Sequence, residues 1–258
     1  MSVLRSRDNP RVRRWSRLAR DTRFRRKEGR ALLEGPHLVA ALLAQDLAPL
    51  AVLVTEEGLA DQEIATLVNK AKIEPVLLSV SLFRAIVDAK HPAGIAAEIG
   101  LPVPKEKPSQ KTIFLEGVQD PSNVGAIMRS AAAFGVDTVV LDQACADPWS
   151  PKALRAGMGG HFSLQIRETK DLKAELERFE GRILCAVPRG GATLGDADLG
   201  GKLGWLFGAE GQGVSEATSR RATQKVTIPM AQGSESLNVA ASAAICLYAA
   251  FSRLAAGS

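Results

Sequence analysis

Between residues 111 and 254 of this 258-residue chain, short apolar segments alternate with longer segments of helical periodicity. Strands separated by helices predict a mostly parallel sheet with helices on both faces, because parallel neighbours need a crossover connection. The predicted strands are 112–115, 138–141, 162–166, 183–187, 203–207 and 225–228, and the predicted helices are 123–134, 151–158, 172–179 and 237–254. The second part of the chain is therefore expected to be an α/β domain.

A shorter series of alternating segments precedes this domain. Helices are predicted to begin at Asp61 and Ser81, two residue types that cap helices. The segment Leu101–Gln110 contains three prolines and three charged residues, a composition typical of an extended linker. The predicted strands of this part are 51–54, 76–78 and 94–99. The predicted organisation is a basic arm at 1–30, a small α/β domain at 31–100, a linker at 101–110 and the larger domain at 111–258.

The first thirty residues contain most of the chain's excess positive charge. Twelve cationic and three acidic residues give this segment a net charge of +9, so the other 228 residues sum to −4 within a total of +5. Such a block favours binding to nucleic acid over binding to a membrane, and a solvated, partly disordered tail is the alternative. Val12, Trp15 and Leu18 recur at helical spacing, which predicts a short helix whose arginines face outward. The candidate RNA-binding residues are Arg11, Arg13, Arg14, Arg23, Arg25 and Arg26.

Several classes of protein are excluded at this stage. No apolar run reaches the ~18 residues of a membrane span, and the arginine-rich start lacks the apolar core of a secretory signal. The three cysteines lie far apart without a CxxC pair, so they are expected to be buried and reduced, in the cytoplasm. His37, His91 and His161 are isolated, and no metal is expected.

The first candidate functional segment, Leu115–Gly125, follows a predicted strand. Its Asp-Pro-Ser-Asn tetrapeptide has the turn chemistry that starts a helix. Arg129 is then a lone charge in an otherwise apolar helix. It is either a functional residue or an arginine that extends from a buried helix to a surface carboxylate.

The second segment, Leu206–Ser215, contains three glycines within six residues directly after a strand. Glycines allow a sharp turn and a close approach of the backbone to a ligand. The spacing matches neither the dinucleotide fingerprint nor the phosphate-binding P-loop. A glycine-rich turn alone is weak evidence of a binding site.

The third segment, Ile228–Ala240, runs from a strand through a loop of small residues into an apolar helix. Ser234 or Ser236 is expected to cap that helix, with Asn238 placed to reach a nearby site. A plain strand-to-helix loop is the alternative.

Together the three segments closely resemble the SpoU/TrmH branch of the SPOUT methyltransferases. The matching stretches are DPSNVGAIMRSAAAFG, LFGAEGQGVS and IPMAQGSESLNVAAS, in that order, and SPKALRAGMG resembles the family's connecting segment. In the first hundred residues, LLEGPHLVAALL and HPAGIAAEI are more loosely similar to a ribosomal-protein-like substrate-binding domain. The resemblance is strong over about residues 111–254.

The resemblance implies a fold, a cofactor and an assembly. The fold is an α/β architecture with a C-terminal trefoil-knotted SPOUT methyltransferase domain behind a smaller N-terminal α/β RNA-binding domain. The knot would hold S-adenosylmethionine (SAM) between the loops at 207–212, 228–233 and 236–238. The family usually forms homodimers with the active site completed across the interface. The cofactor-binding positions would be Leu206, Gly208, Glu210, Gly213, Ile228, Met230 and Leu237.

The resemblance also implies the reaction, methyl transfer to the 2′-hydroxyl of a ribose in RNA. The arginine that matches Arg129 is assigned to activate the hydroxyl, and the other implied catalytic positions are Asn123, Glu210, Ser236 and Asn238. A separate substrate-binding domain favours ribosomal RNA over transfer RNA as the substrate. A non-catalytic RNA-binding or ribosome-assembly factor is the alternative from another class, but it would not explain why these polar residues are present.

Overall fold

The described part of the chain is organised around two sheets, one in each of two units. The computed structural model describes residues 3–104, 108–233 and 235–256. Unit 1 comprises Met1–Val103 and Asp147–Phe162, and unit 2 comprises Pro104–Ala146 and Ser163–Ser258. The division after Val103 falls inside the predicted linker 101–110, of which residues 105–107 lie outside the described residues.

Unit 1 has a four-stranded sheet in the order β1-β4-β2-β3 within its described residues. The pairs β1–β4 and β4–β2 are antiparallel and β2–β3 is parallel. Its strands are β1 (Arg30–Glu34), β2 (Ala51–Val54), β3 (Val76–Leu77) and β4 (Ile95–Gly100), and its helices are α1 (Pro10–Arg20), α2 (Thr22–Glu28), α3 (Pro36–Leu43), α4 (Glu56–Ala60), α5 (Gln62–Ala71), α6 (Val80–Ile86) and α8 (Pro151–Gly157). Asp61 caps α5 as predicted, but Ser79 rather than Ser81 caps α6.

The basic N-terminal segment forms part of the core of unit 1. Asn9 caps α1, and Val12, Trp15 and Leu18 are buried on one face of that helix, as their spacing predicts. The same hydrophobic cluster includes Leu53 of β2 and residues of α6. Because these side chains are buried in the core, the alternative of a solvated tail is wrong for α1.

The segment Asp147–Phe162 belongs to unit 1, although a contiguous domain was expected from residue 111 onward. Two ion pairs join this segment to the rest of unit 1. Arg25 Nε donates to the Asp147 carboxylate at 2.7 Å, and Arg155 donates to Glu34 at 3.1 Å. A segment inserted between two strands of unit 2 is thereby bonded to α2 and β1.

Unit 2 has a seven-stranded sheet in the order β7-β6-β5-β10-β8-β11-β9 within its described residues, and all its strand pairs are parallel, as predicted. The two-residue strand β9 was not predicted. The trefoil knot stays a prediction. The strands are β5 (Lys111–Glu116), β6 (Thr138–Asp142), β7 (Gln165–Thr169), β8 (Arg182–Ala186), β9 (Ala192–Thr193), β10 (Leu203–Gly208) and β11 (Gln224–Thr227), and the helices are α7 (Pro121–Ala133), α9 (Leu172–Arg178), α10 (Glu216–Ser219) and α11 (Val239–Ala256). A 3₁₀ turn at Gly160–Ser163 spans the division after Phe162.

Candidate active site

The glycine-rich segment turns back on itself immediately after β10. The amide of Gly213 donates to the carbonyl of Ala209 at 2.8 Å, and Gly213 has a φ of +67°. A Cβ atom at Gly208 would lie 2.1 Å from the carbonyl carbon of Gly213 and 2.2 Å from the amide nitrogen of Val214. No side chain fits at position 208, because the returning backbone occupies that space.

A cavity of about 520 Å³ opens at the carboxyl ends of the parallel strands of unit 2. This volume is in the range of small-molecule sites. The predicted positions Gly208, Glu210, Gly213, Ile228, Met230, Ser236, Leu237 and Asn238 all line it. The second and third sequence segments therefore meet at one site.

Leu206 does not line this cavity, contrary to the expectation. It is fully buried in a core cluster with Phe114 and Cys185, whereas the next residue, Phe207, faces the cavity. Successive residues of a strand point to opposite faces of a sheet, so only one of the two can reach the ligand side.

Ala186, Val187 and Pro188 line the cavity but were not recognised in the sequence. They have no polar or glycine-rich motif. The available indication was their position at the end of a predicted parallel strand, where ligands bind in α/β sheets.

Three of the predicted catalytic residues form a chain of side-chain hydrogen bonds. Asn238 Nδ2 donates to Asn123 Oδ1 at 3.0 Å, and Asn123 Nδ2 donates to Glu210 Oε1 at 2.7 Å. We call these residues the Asn–Asn–Glu chain. It joins the start of α7, the glycine-rich turn and the loop before α11.

The orientation of this chain is set at the start of α11. The Asn238 side-chain oxygen accepts from the amides of Ala240 and Ala241 at 2.9 and 3.2 Å. This leaves the Asn238 Nδ2 atom to face Asn123. Asn238 rather than Ser236 therefore caps the helix, and Ser234 lies outside the described residues.

Glu210 is held as a carboxylate in this arrangement. Partial burial by itself would raise the pKa of Glu210, but the hydrogen bond from Asn123 and bonds from backbone amides outweigh it. The pKa is therefore lower than the ordinary glutamate value. An ionised carboxylate can only accept hydrogen bonds, which fixes the direction of the bond from Asn123.

Arg129 is not hydrogen-bonded to any other predicted catalytic residue in the described part of the chain. It is exposed on α7, does not line the cavity, and makes no hydrogen bond or ion pair with the described residues. The alternative of an arginine extended to a surface carboxylate therefore has no carboxylate partner within the described part of the chain. Among the described residues, none occupies the Arg129 guanidinium in a way that would keep it from a ligand outside the chain.

An apolar surface lies on the helix that packs against α7. Ile245, Tyr248 and Phe251 of α11 are 39%, 59% and 43% exposed. Phe134, which follows α7, contacts the rings of Tyr248 and Phe251 at centroid distances of 5.8 and 5.9 Å. We call Ile245, Tyr248 and Phe251 the α11 face.

The candidate RNA-binding arginines of unit 1 divide into two groups. Arg14 is half-buried and donates to Glu98, and Arg25 is 3% exposed and bonded to Asp147. Arg25 was a candidate RNA-binding residue, but it is buried, because the turn of α2 that exposes its neighbours directs it toward the carboxylate of Asp147. The exposed members are Arg11, Arg13, Arg23 and Arg26.

Arg14 also has a structural role. The carboxylate of Glu98 is buried and accepts from Arg14, from Arg30 and from the indole nitrogen of Trp15. Burial by itself would raise the pKa of Glu98, but these hydrogen bonds lower it. This network fixes α1 against β4.

Two other sequence expectations concern metals and membranes. Within the described residues, no group of three or more His, Cys, Asp or Glu side chains is placed to hold a metal ion. In the same part of the chain, no helix combines the length and hydrophobicity needed to cross a bilayer.

Two family models match the chain. The SpoU rRNA Methylase family matches residues 110–248, and the MRM3-like substrate binding domain matches residues 9–97. The second match includes α1 and α2, which agrees with their place in the core of unit 1.

Similar proteins extend over nearly the whole chain. A Bacillus subtilis 23S rRNA (guanosine(2553)-2'-O)-methyltransferase is 31% identical over 250 residues, which cover 96% of this chain and 98% of that protein. An uncharacterized tRNA/rRNA methyltransferase of Synechocystis is 33% identical over 257 residues, which cover 95% of this chain and 92% of that protein.

Solved structures agree with the fold. A crystal structure of an RNA 2'-O ribose methyltransferase aligns with a TM-score of 0.82 at 27% identity and covers 98% of this chain and all of that one. The methyltransferase AviRb from Streptomyces viridochromogenes, solved with AdoMet, aligns at 0.83 with 22% identity over 96% of this chain and all of that one, a likeness of fold. The chain belongs to the SpoU rRNA methylase family.

Proposed function

We propose that this protein transfers the methyl group of SAM to the 2′-hydroxyl of a ribose in ribosomal RNA, and that it acts as a homodimer in the cytoplasm. The observation that carries the proposal is the cavity at the strand ends, where the glycine-rich turn, the loop before α11 and the Asn–Asn–Glu chain meet. The Bacillus subtilis relative that matches almost end to end is named as a ribosomal RNA 2′-O-methyltransferase.

The cavity fits SAM in its chemical character. Ile228, Met230, Leu237 and Val187 supply apolar walls for an adenine ring, and the backbone of the glycine-rich turn supplies hydrogen-bonding groups. When bound, SAM supplies a methyl group on a sulfonium whose departure leaves a neutral thioether. The protein therefore needs no acid for the leaving group.

The difficult part of the reaction is the nucleophile, a ribose hydroxyl that must lose its proton. A guanidinium, with a pKa above ~12, is a poor base. Arg129 instead holds the hydroxyl and stabilises the negative charge that develops on its oxygen, while the proton passes to phosphate or water. The Asn–Asn–Glu chain and Ser236 orient the substrate at the cavity.

The homodimer is supported by the position of Arg129 and by the α11 face. Arg129 is exposed on α7, does not line the cavity of its own chain and has no bonding partner among the described residues, which leaves it available to the cavity of a second copy. The α11 face presents three large apolar side chains beside α7. In the proposed dimer this face is buried, and Arg129 of one protomer reaches the cavity of its partner.

Unit 1 is the proposed RNA-binding domain. Its exposed Arg11, Arg13 and Arg23 lie on two consecutive helices and are suited to contact phosphates. The three cysteines are free and buried, in keeping with the reducing cytoplasm.

The reaction is tested by incubating the purified protein with labelled SAM and protein-free ribosomal or transfer RNA. A 2′-O-methyl group blocks alkaline cleavage at one position, which locates the product. Methylation of ribosomal RNA is expected. Methylation confined to transfer RNA would assign the other substrate, and SAM binding without methylation of either RNA would favour the non-catalytic alternative.

The shared site is tested by mixing two inactive variants, Arg129→Ala and Asn238→Ala, under conditions that exchange protomers. If each site takes Arg129 from the partner, a mixed dimer has one intact site, and activity should return to about a quarter of wild type. If each site were formed within one chain, mixing the two variants would restore no methylation activity. A monomeric mass measured by light scattering would contradict the proposed dimer.

A further inference from the structure

Glu116 is the last residue of β5, and its backbone pairs in register with Gly208 at the end of β10. The neighbouring strands thus deliver a carboxylate and the start of the glycine-rich turn to the same edge of the sheet. None of the roles implied by the family resemblance involves Glu116, which also does not line the cavity.

The carboxylate of Glu116 binds the far end of the turn. Oε2 accepts from the amide of Ser215 at 2.8 Å, and Oε1 accepts from the hydroxyls of Ser215 at 2.8 Å and Thr218 at 2.7 Å. Hydrogen bonds to an ionised acceptor are about twice as strong as neutral ones. One side chain therefore holds both the last residue of the turn and the helix α10 that follows it.

The turn is thus fastened at both of its ends. The Ala209–Gly213 hydrogen bond and the contact of Gly208 with the Gly213 and Val214 backbone close its neck. Ser215 then caps α10, with its hydroxyl accepting from the amide of Thr218 at 3.3 Å. Glu116 connects this cap to the end of β5.

We propose that Glu116 is a positioning residue that sets the affinity for SAM by holding the glycine-rich turn, residues 208–215, in its binding conformation. This inference rests on the proposed use of SAM. When these hydrogen bonds are lost, the turn spends a smaller fraction of time in the conformation that binds SAM. The apparent affinity for SAM falls in proportion to that fraction. The chemical step retains Arg129 and the Asn–Asn–Glu chain, so its rate at saturating SAM should remain.

The test compares Glu116→Gln with wild type by calorimetric SAM titration, hydrogen exchange and steady-state kinetics. We expect the Kd and KM for SAM to rise about tenfold, with kcat at saturation within about twofold of wild type. Amides 209–215 should exchange faster in the variant even without SAM. Glu216→Gln is the matched control: it removes the same charge from an exposed side chain of α10, which pairs with Arg220.

A second variant keeps the test decisive if Glu116→Gln folds poorly. Thr218→Val preserves the shape of the side chain and removes one of the three hydrogen-bond donors to Glu116, so the Kd for SAM should rise about threefold. The double variant Glu116→Gln/Thr218→Val should bind SAM almost as well as Glu116→Gln alone, because both changes remove the same interaction. The proposed role of Glu116 would be overturned if, in both variants, amides 209–215 exchanged at the wild-type rate and the Kd for SAM were unchanged. Failure of the wild-type protein to bind SAM would instead contradict the proposed function, while the exchange result would still report on the fastening.

Discussion

The side-chain nitrogen of Asn123 lies 2.7 Å from Glu210 Oε1, and the two residues are 87 positions apart in the sequence. Asn123 is in the first turn of α7, and Glu210 is in the glycine-rich turn after β10. Asn238 completes the chain from the cap of α11. Three segments that were separate candidates in the sequence therefore contribute to one polar cluster beside the cavity.

Arg129→Ala should lower the rate of methylation at least ~100-fold, because a donor that stabilises developing oxygen charge is lost. The Kd for SAM should stay near wild type, since the proposed role of Arg129 is to stabilise charge on the attacking oxygen, an interaction made in the transition state and not with bound SAM. Single-turnover methylation and calorimetry measure the two quantities. Arg178→Ala, at another exposed arginine, is the control, and a rate within a few fold of wild type for Arg129→Ala would return Arg129 to a surface role.

Because of Glu210, SAM binding should have an acid limb, that is, a fall in SAM affinity toward low pH, which begins below the ordinary glutamate pKa of 4.5. The pKa of Glu210 is lowered in the fold, so its contact with Asn123 is complete above the ordinary value and is lost as the pH falls through the lowered one. SAM affinity measured across this range should weaken in wild type, and Glu210→Gln should lack that limb. An acid limb of the same shape in both proteins would assign the titration to another group.

Substituting Gln for Arg11, Arg13 and Arg23 together should flatten the dependence of RNA affinity on salt. Each lost phosphate contact changes the slope of log affinity against log salt by about 0.7 to 0.9, so a flattening of about two to three units is expected. Deleting residues 1–26 would be a poorer test, since Trp15 and Leu18 belong to the core. Gln at Lys70, Arg84 and Lys90, also exposed in unit 1, is the charge-matched control. Equal slopes for the two triple variants would remove the special role of α1 and α2.

Arg25→Ala should lower the free energy of unfolding by about 3 to 5 kcal/mol, because it leaves the buried Asp147 carboxylate without its partner. Arg23→Ala, two residues earlier and exposed, should change it by no more than about 0.5 kcal/mol. Urea unfolding followed by tryptophan fluorescence measures both. A loss below about 1 kcal/mol for Arg25→Ala would show that the pair contributes little.

Exhaustive chelation should leave methylation intact, because the proposed chemistry uses a sulfonium and protein side chains. The assay requires RNA folded in monovalent salt, with its structure checked separately. Recovery of a chelated, inactive enzyme only on addition of Zn²⁺ or Mg²⁺ would contradict this prediction.

The sequence by itself determined most of the strands and helices of unit 2 and two of the segments that line the cavity. Apolar periodicity and turn residues act over a few positions, so β2 was predicted to the residue and the parallel sheet of unit 2 from alternation alone. The sharp turn at Gly208–Gly213 could also be predicted from its own residues, since only glycine permits so close an approach of the backbone to itself.

The tertiary structure alone decided which distant groups meet. Arg25 and Asp147 are 122 positions apart, and no pattern around Arg25 distinguishes it from the exposed arginines beside it. Glu116 and Ser215 are 99 positions apart and become neighbours only because β5 and β10 pair in the sheet. Local preferences fix the backbone of each segment, whereas burial and charge pairing depend on the side chains that another segment presents to it.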